Sequence, residues 1–292
     1  MKNAFLILAL ASILVGCKKD DNTAANTSGS TGNSISTVPS QFTQKVLLET
    51  YTGASQPQST DGFVKMENIM NANLTKAIPV NVHFSDAMEI AQYTSLTNAY
   101  SNGNPMTFPS AMVNRTASVG QVILNRTQWQ SNFDVAKVKT AKCGLAIESS
   151  VSGNIATIIV HSGFNQSLAG NYTINTYLIE NNVSGSGLMY DQRNSYNSAA
   201  GHPYQGQGDP ITSFNHNHVL RKVLSSPMGD IINGSNIVAS GKQIFTYTTS
   251  RSGFKQNDLD VVSFINKTGS TTTDHEIMNV QKVKIGLTQL WD

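Results

Sequence analysis

The residues able to do chemistry are few and scattered. His216 and His218 stand two apart in Asn215-His216-Asn217-His218, and on a strand such a pair shares one face. His202 and Asp209 precede them, so a metal ion could draw ligands from this group. Imidazoles bonded to backbone groups are the favoured reading of the pair, and a helical 215–224 would make the rings diverge. Cys143, in Ala141-Lys142-Cys143-Gly144-Leu145, reads as the start of a strand with a buried sulfur, and a reactive single thiol is the alternative. Gly185-Ser186-Gly187 lacks nucleophile-elbow spacing and lies in loop-like sequence, so it is assigned no catalytic role. There is no phosphate-cradling motif, and no cofactor is expected.

The remaining cysteine points elsewhere. Lys2, the apolar run Ala4 to Val15 and Leu14-Val15-Gly16-Cys17 have the form of a lipoprotein signal, with small Gly16 just before the cysteine. The run is too short to span a bilayer, which takes about 20 apolar residues. Residues 1–16 are therefore expected to be a cleaved signal peptide. Attachment to the bilayer is expected through acyl chains on Cys17, each buried methylene adding about 0.8 kcal/mol.

Lys and Arg number 20 against 18 Asp and Glu, a net charge of +2, which supplies no field for nucleic acid. Only 13% of residues are charged while 39% are hydrophobic. With abundant Asn, Ser, Thr and Gly, this suits strands and turns better than long surface helices. With Cys17 committed to lipid, Cys143 has no internal disulfide partner.

The elements that must carry these residues follow from pattern. Residues 17–42 are mostly small and polar and read as a flexible linker behind the anchor. Lys45 to Glu49 is an apolar strand, followed by a turn and a helix in which Phe63, Met66, Ile69 and Met70 share a face. Ile78 to Phe84 is a second strand, Ile90 to Tyr100 a helix, Phe108 to Asn114 a strand entered through proline, and Trp129 to Val138 a helix. This alternation gives an α/β layer over residues 43–141. Residues 142–292 read as a β-sandwich, immunoglobulin-like or jelly-roll, with strands at Gly144–Ser149, Ile155–His161, Tyr172–Glu180, Gln243–Thr249, Leu259–Asn266 and Val280–Leu287. In the last, Gln281, Val283, Ile285 and Leu287 are expected to face one way and Lys282, Lys284 and Gly286 the other. The long stretch from Asn181 to Asn215 has no clear period, and such connections often bind something or are disordered. Its Tyr190, Tyr196 and Tyr204 are candidate contacts for a glycan or protein ligand, together with His202, His216, His218 and Arg221. Packing of these tyrosines against the sandwich is the alternative.

Several motifs, in this order along the chain, carry a resemblance. Lys45-Val46-Leu47-Leu48-Glu49-Thr50-Tyr51-Thr52-Gly53 before a helix resembles the opening of a thioredoxin-like domain. Thr107-Phe108-Pro109-Ser110 resembles that fold's cis-proline segment, and Phe214 to Arg221 resembles a motif from the second half of an outer-membrane lipoprotein family named for a twenty-eight-kilodalton surface protein. Lys18-Lys19-Asp20-Asp21 resembles the export signal that sends Bacteroidetes-type lipoproteins to the cell surface. The resemblance implies a thioredoxin-like domain followed by the β-rich half. Its redox pair falls on Gln56 and Ser59 of Gln56-Pro57-Gln58-Ser59, with Pro109 opposite. Amide and hydroxyl groups cannot exchange with a disulfide, so a redox-inactive scaffold is expected. The function implied is a surface-exposed outer-membrane lipoprotein with a non-catalytic binding or adhesion role. The alternatives are an envelope enzyme, using a metal at His216 and His218 or the Cys143 thiol, and a structural subunit of an envelope complex.

Overall fold

The computed structural model describes residues 35–292; Cys17, the signal peptide and most of the expected linker lie outside them. The elements are β1 (Val46–Thr52), α1 (Ser59–Ala72), β2 (Ala77–His83), α2 (Tyr93–Ser101), β3 (Ser110–Val113), β4 (Leu124–Asn125) and α3 (Trp129–Ala136). The chain continues through β5 (Cys143–Ser152), β6 (Ile155–Phe164), β7 (Asn171–Glu180), β8 (Val219–Val223), β9 (Asp230–Ile231), β10 (Lys242–Ser250), β11 (Leu259–Thr268), β12 (Ile277–Lys284) and β13 (Thr288–Gln289). The result is mixed sheets with few helices. None of the helices described is long and apolar enough to cross a membrane.

β1 is an unbroken buried run because helices cover both of its faces. Val46 and Leu48 pack with Phe63, Met66 and Ile69 of α1 and with Trp129 and Phe133 of α3. Leu47 and Tyr51 point the other way, toward Tyr93, Leu96 and Tyr100 of α2. β1 pairs in parallel with β2 and antiparallel with β3. Each large apolar side chain buried here is worth about 1.5–3 kcal/mol.

The expected division at residues 141 and 142 does not interrupt the sheet. The large sheet runs β12-β11-β7-β8-β2-β1-β3-β4, and β8 joins β2 in parallel at Asn81 and Val219. Residues from both expected segments belong to one compact unit. The physical reason lies in β7 and β11, which are apolar on both faces. Tyr177, Ile179, Val262 and Phe264 enter the core shared with α2. Ile174, Leu178, Val261 and Ile265 meet Leu145, Ile147, Ile158 and Val160 of a second sheet, ordered β10-β6-β5-β13.

The C-terminal strand is shorter than its alternation suggests. β12 ends at Lys284, Gly286 takes φ 85°, and Leu287 is exposed rather than inward. A left-handed residue at Gly286 ends the period-two run, so the side chain after it no longer follows the strand's facing.

Candidate functional site

Gln56, Pro57 and Gln58 lie in the turn between β1 and α1, and Ser59 opens the helix. Gly53 is required there, since a Cβ would lie 2.6 Å from the Phe84 carbonyl oxygen. The Ala54 N–H donates to Asp86 Oδ2 at 2.8 Å. Gln56 and Pro57 are half-buried, Gln58 is exposed, and Ser59 is sealed at the start of α1. Pro109, cis to Phe108, sits against Gly62, where an added Cβ would come within 2.8 Å of the proline ring.

The long connection between β7 and β8 lies over this turn as a strap. Arg193 N–H donates to the Ala54 carbonyl and Ser195 N–H to the Pro57 carbonyl, both at 2.8 Å. The Gln192 amide, fully buried, donates to the Gln56 carbonyl at 3.1 Å. Bridges Val183–His216 and Gln192–Ile211 close the strap on itself. Within it, Asn194 donates to the Tyr204 and Gly208 carbonyls and accepts from Tyr196 N–H. Asp209 holds Arg193 at two points. The segment that sequence marks as an open ligand loop is thus an ordered cover whose polar groups are largely spent internally.

The three tyrosines are half-buried in that cover. Tyr190 packs with Ala54, Met88, Val183 and Val219. Tyr196 stacks on His202 at 4.2 Å and 17°, and its hydroxyl accepts from Arg126, which also pairs with Asp61 of α1. Tyr204 lies 5.9 Å from Phe214, and burial raises its hydroxyl pKa to about 12. Tyr196 and Tyr204 lie toward α1 through Arg126 and Phe214, and Tyr190 packs beside the turn that precedes it.

His216 and His218 do not share a face. His218 takes φ 56°, and a left-handed residue breaks strand alternation. His216 turns inward, 5.1 Å from the His83 ring, and its Nε2–H donates to the Tyr190 carbonyl at 2.8 Å. Burial, then the neighbouring His83, lowers its pKa to about 4. His218 is lowered to about 4 by burial and by Lys282. His202 is 3.7 Å from Asp61, while Asp209 is committed to Arg193. Among the described residues no three His, Cys, Asp or Glu side chains are grouped to hold a metal ion, and the candidate ligands His202, Asp209, His216 and His218 have separate partners. Arg221 pairs with Glu180 at 3.2 Å and lies over Phe254.

Sequence reasoning missed His83 and Asp86, whose side chains meet at 2.7 Å beneath the turn. Burial works against the Asp86 charge, yet bonds from His83, Ala54 N–H and Met88 N–H hold its carboxyl below the usual range. Around this pair Thr52 Oγ1, Ser59 Oγ, His83 Nε2, His216 Nδ1 and Gln192 Oε1 are buried without a hydrogen-bond partner among the described residues. The spacing of His83 and Asp86 just after an apolar strand was the available signal.

A second buried charge cluster also escaped notice. Arg115 forks onto Glu49 and donates to the Tyr100 and Tyr177 hydroxyls at 2.6 and 3.1 Å. Burial opposes its charge, but Glu49 and the two tyrosines keep the guanidinium firmly protonated. Cys143 is wholly buried, and burial pushes its thiol well above the usual range, which disfavours the reactive thiolate.

Comparison with known proteins gives three findings. The model of a family described as outer membrane protein Omp28 matches residues 97–289. No curated protein matches the chain. Among solved structures, HBP35 of Porphyromonas gingivalis is similar over 84% of this chain and 76% of its own, with TM-score 0.65 and 19% identity, a likeness of fold. A protein from Agrobacterium tumefaciens aligns over 84% of this chain and 96% of its own, with TM-score 0.49 and 10% identity.

Proposed function

Because the chain belongs to the outer membrane protein Omp28 family, we propose that it is a surface-facing lipoprotein of that membrane, held by acylated Cys17, with a binding or adhesion role and no catalysis. Its first half is a redox-inactive thioredoxin-like scaffold. Support comes from the order β1-α1-β2-α2-β3-β4-α3, the sheet order β2-β1-β3-β4 and the proline beside α1. The second half is a sandwich of β5, β6, β10 and β13 on part of the large sheet, supported by their common core.

The observation that carries the non-catalytic reading is the strap over the turn. The positions of the redox pair hold Gln56 and Ser59, and residues 192–195 cover the same backbone that a substrate disulfide would have to approach. The enzyme alternatives lose support from the divergence of His216 and His218 and the burial of Cys143. A net charge of only +2 supports a glycan or protein partner and no nucleic acid.

Mass spectrometry of the native protein is expected to find acyl chains on Cys17; an unmodified cysteine at that position removes the anchor. With dithiothreitol as electron source, the protein is expected to leave insulin disulfides unreduced above background. Turnover that disappears in Cys143→Ala would overturn the redox-inactive scaffold. Arrays of glycans and host surface proteins test the binding role.

A further inference from the structure

We propose that the face formed by the end of α2, residues 102–108 and the turn at 118–123 binds an uncharged oligosaccharide, a reading that rests on the binding role above and gives it a place. Two adjoining cavities of about 500 and 340 Å3 share Ser101, Asn104, Pro105 and Met106 as a common wall. Neither is lined by a charged residue. Ligand pockets combine apolar and aromatic walls with a few placed polar groups, and together the two linings have that make-up.

The two cavities offer complementary chemistry. The larger presents the amides of Asn102, Asn104 and Gln121 and the hydroxyls of Thr107 and Thr272. None of these five side chains makes a hydrogen bond among the described residues. An amide carries both donors and an acceptor, so it can engage neighbouring sugar hydroxyls in either sense. The smaller cavity is walled by Phe84 and Phe108, stacked at 5.2 Å and 6°, with Tyr93 4.9 Å from Phe84. Aromatic faces suit the C–H side of a pyranose ring.

Charge and polarity narrow the ligand. An anionic or cationic molecule would find no counter-charge in either lining. A purely apolar one would leave the amides desolvated and unpaired, at about 1–3 kcal/mol for each group. The strap makes the contrast, for there the side chains of Gln192, Asn194 and Asp209 are bonded within the protein. At the rim of the larger cavity Val119 is 96% exposed with φ 49°, a conformation that β-branched residues rarely adopt outside functional or strained turns.

The test uses the full chain on an array of neutral gluco-, manno-, galacto- and N-acetylglucosamine oligosaccharides beside sialylated and sulfated ones and host surface proteins, followed by calorimetry with the tightest neutral oligosaccharide. Asn104→Ala combined with Gln121→Ala is expected to weaken that binding about tenfold or more, with Gln207→Ala on the strap unchanged. Thermal melting confirms that the variants fold, and Phe108→Leu is a second probe through the aromatic wall. Neutral glycan binding untouched by all of these cavity substitutions overturns the site and leaves the binding role standing. Retention of anionic glycans alone, or of host proteins and no glycan, overturns the ligand class. Failure to retain any glycan or protein overturns the binding role as well.

Discussion

The Arg115 guanidinium meets the Glu49 carboxylate at two points, Nε to Oε2 and Nη2 to Oε1, each 2.8 Å, with both side chains almost fully excluded from solvent. The pair sits where β1, the end of α2, β7 and β11 come together, for Tyr100, Tyr177 and Phe264 all touch the guanidinium. Removing one partner strands the other charge in the interior. Arg115→Ala or Glu49→Ala is therefore expected to cost about 3–5 kcal/mol, read from urea unfolding. A loss below 1 kcal/mol would mean that water reaches the site.

Acid should loosen the protein through His216. Its folded pKa of about 4 lies below its ordinary 6.5, so between those values the unfolded chain binds more protons. Stability is complete above pH 6.5, falls as pH drops toward 4 and then levels off for this group. At about 1.4 kcal/mol per pH unit, His216 contributes on the order of a few kcal/mol. Below the ordinary carboxylate range, the lowered Asp86 adds a further loss in the same direction. His216→Asn is expected to lessen the decline of the urea midpoint between pH 6.5 and 4, leaving the part that His218 contributes with its own pKa of about 4, and an unchanged slope would locate the titration elsewhere.

The strap depends on Asn194, whose amide serves two carbonyls across a ten- to fourteen-residue span. Asn194→Ala removes a donor from two part-buried carbonyls, a local cost of about 0.5–1.5 kcal/mol for each bond. Limited proteolysis should then cut residues 195–210 faster, while the sheets remain resistant. Equal cleavage of the variant and the wild type would show that Gln192 and the backbone bonds of Arg193 and Ser195 hold the cover without Asn194.

Much of the framework could be read directly from pattern. Phe63, Met66 and Ile69 fall at helical spacing and form the buried stripe of α1. Val261 and Val283, paired across β11 and β12, keep period-two spacing. What escaped was long-range. Glu49 interrupts an apolar run, and nothing local reveals that Arg115 waits to neutralise it. The strap reads as an aperiodic connection that binds something or is disordered, because its order comes from side-chain bonds to turns, such as Asn194 to Gly208, rather than from periodicity. His218 looked like a strand residue, but its left-handed backbone sends it away from His216. The neutral cavities were invisible because their linings come from separate stretches that only the fold brings together.

The junction of Asn81 with Val219 sets a schedule on the growing polypeptide. Synthesis delivers β2 long before β8, so during translation that flank of β2 waits for its partner. Until β8 docks, one flank of β2 offers bare amides and carbonyls to any passing strand. Late closure also ties the amino-terminal half to residues 219–223, about three quarters of the way along the message.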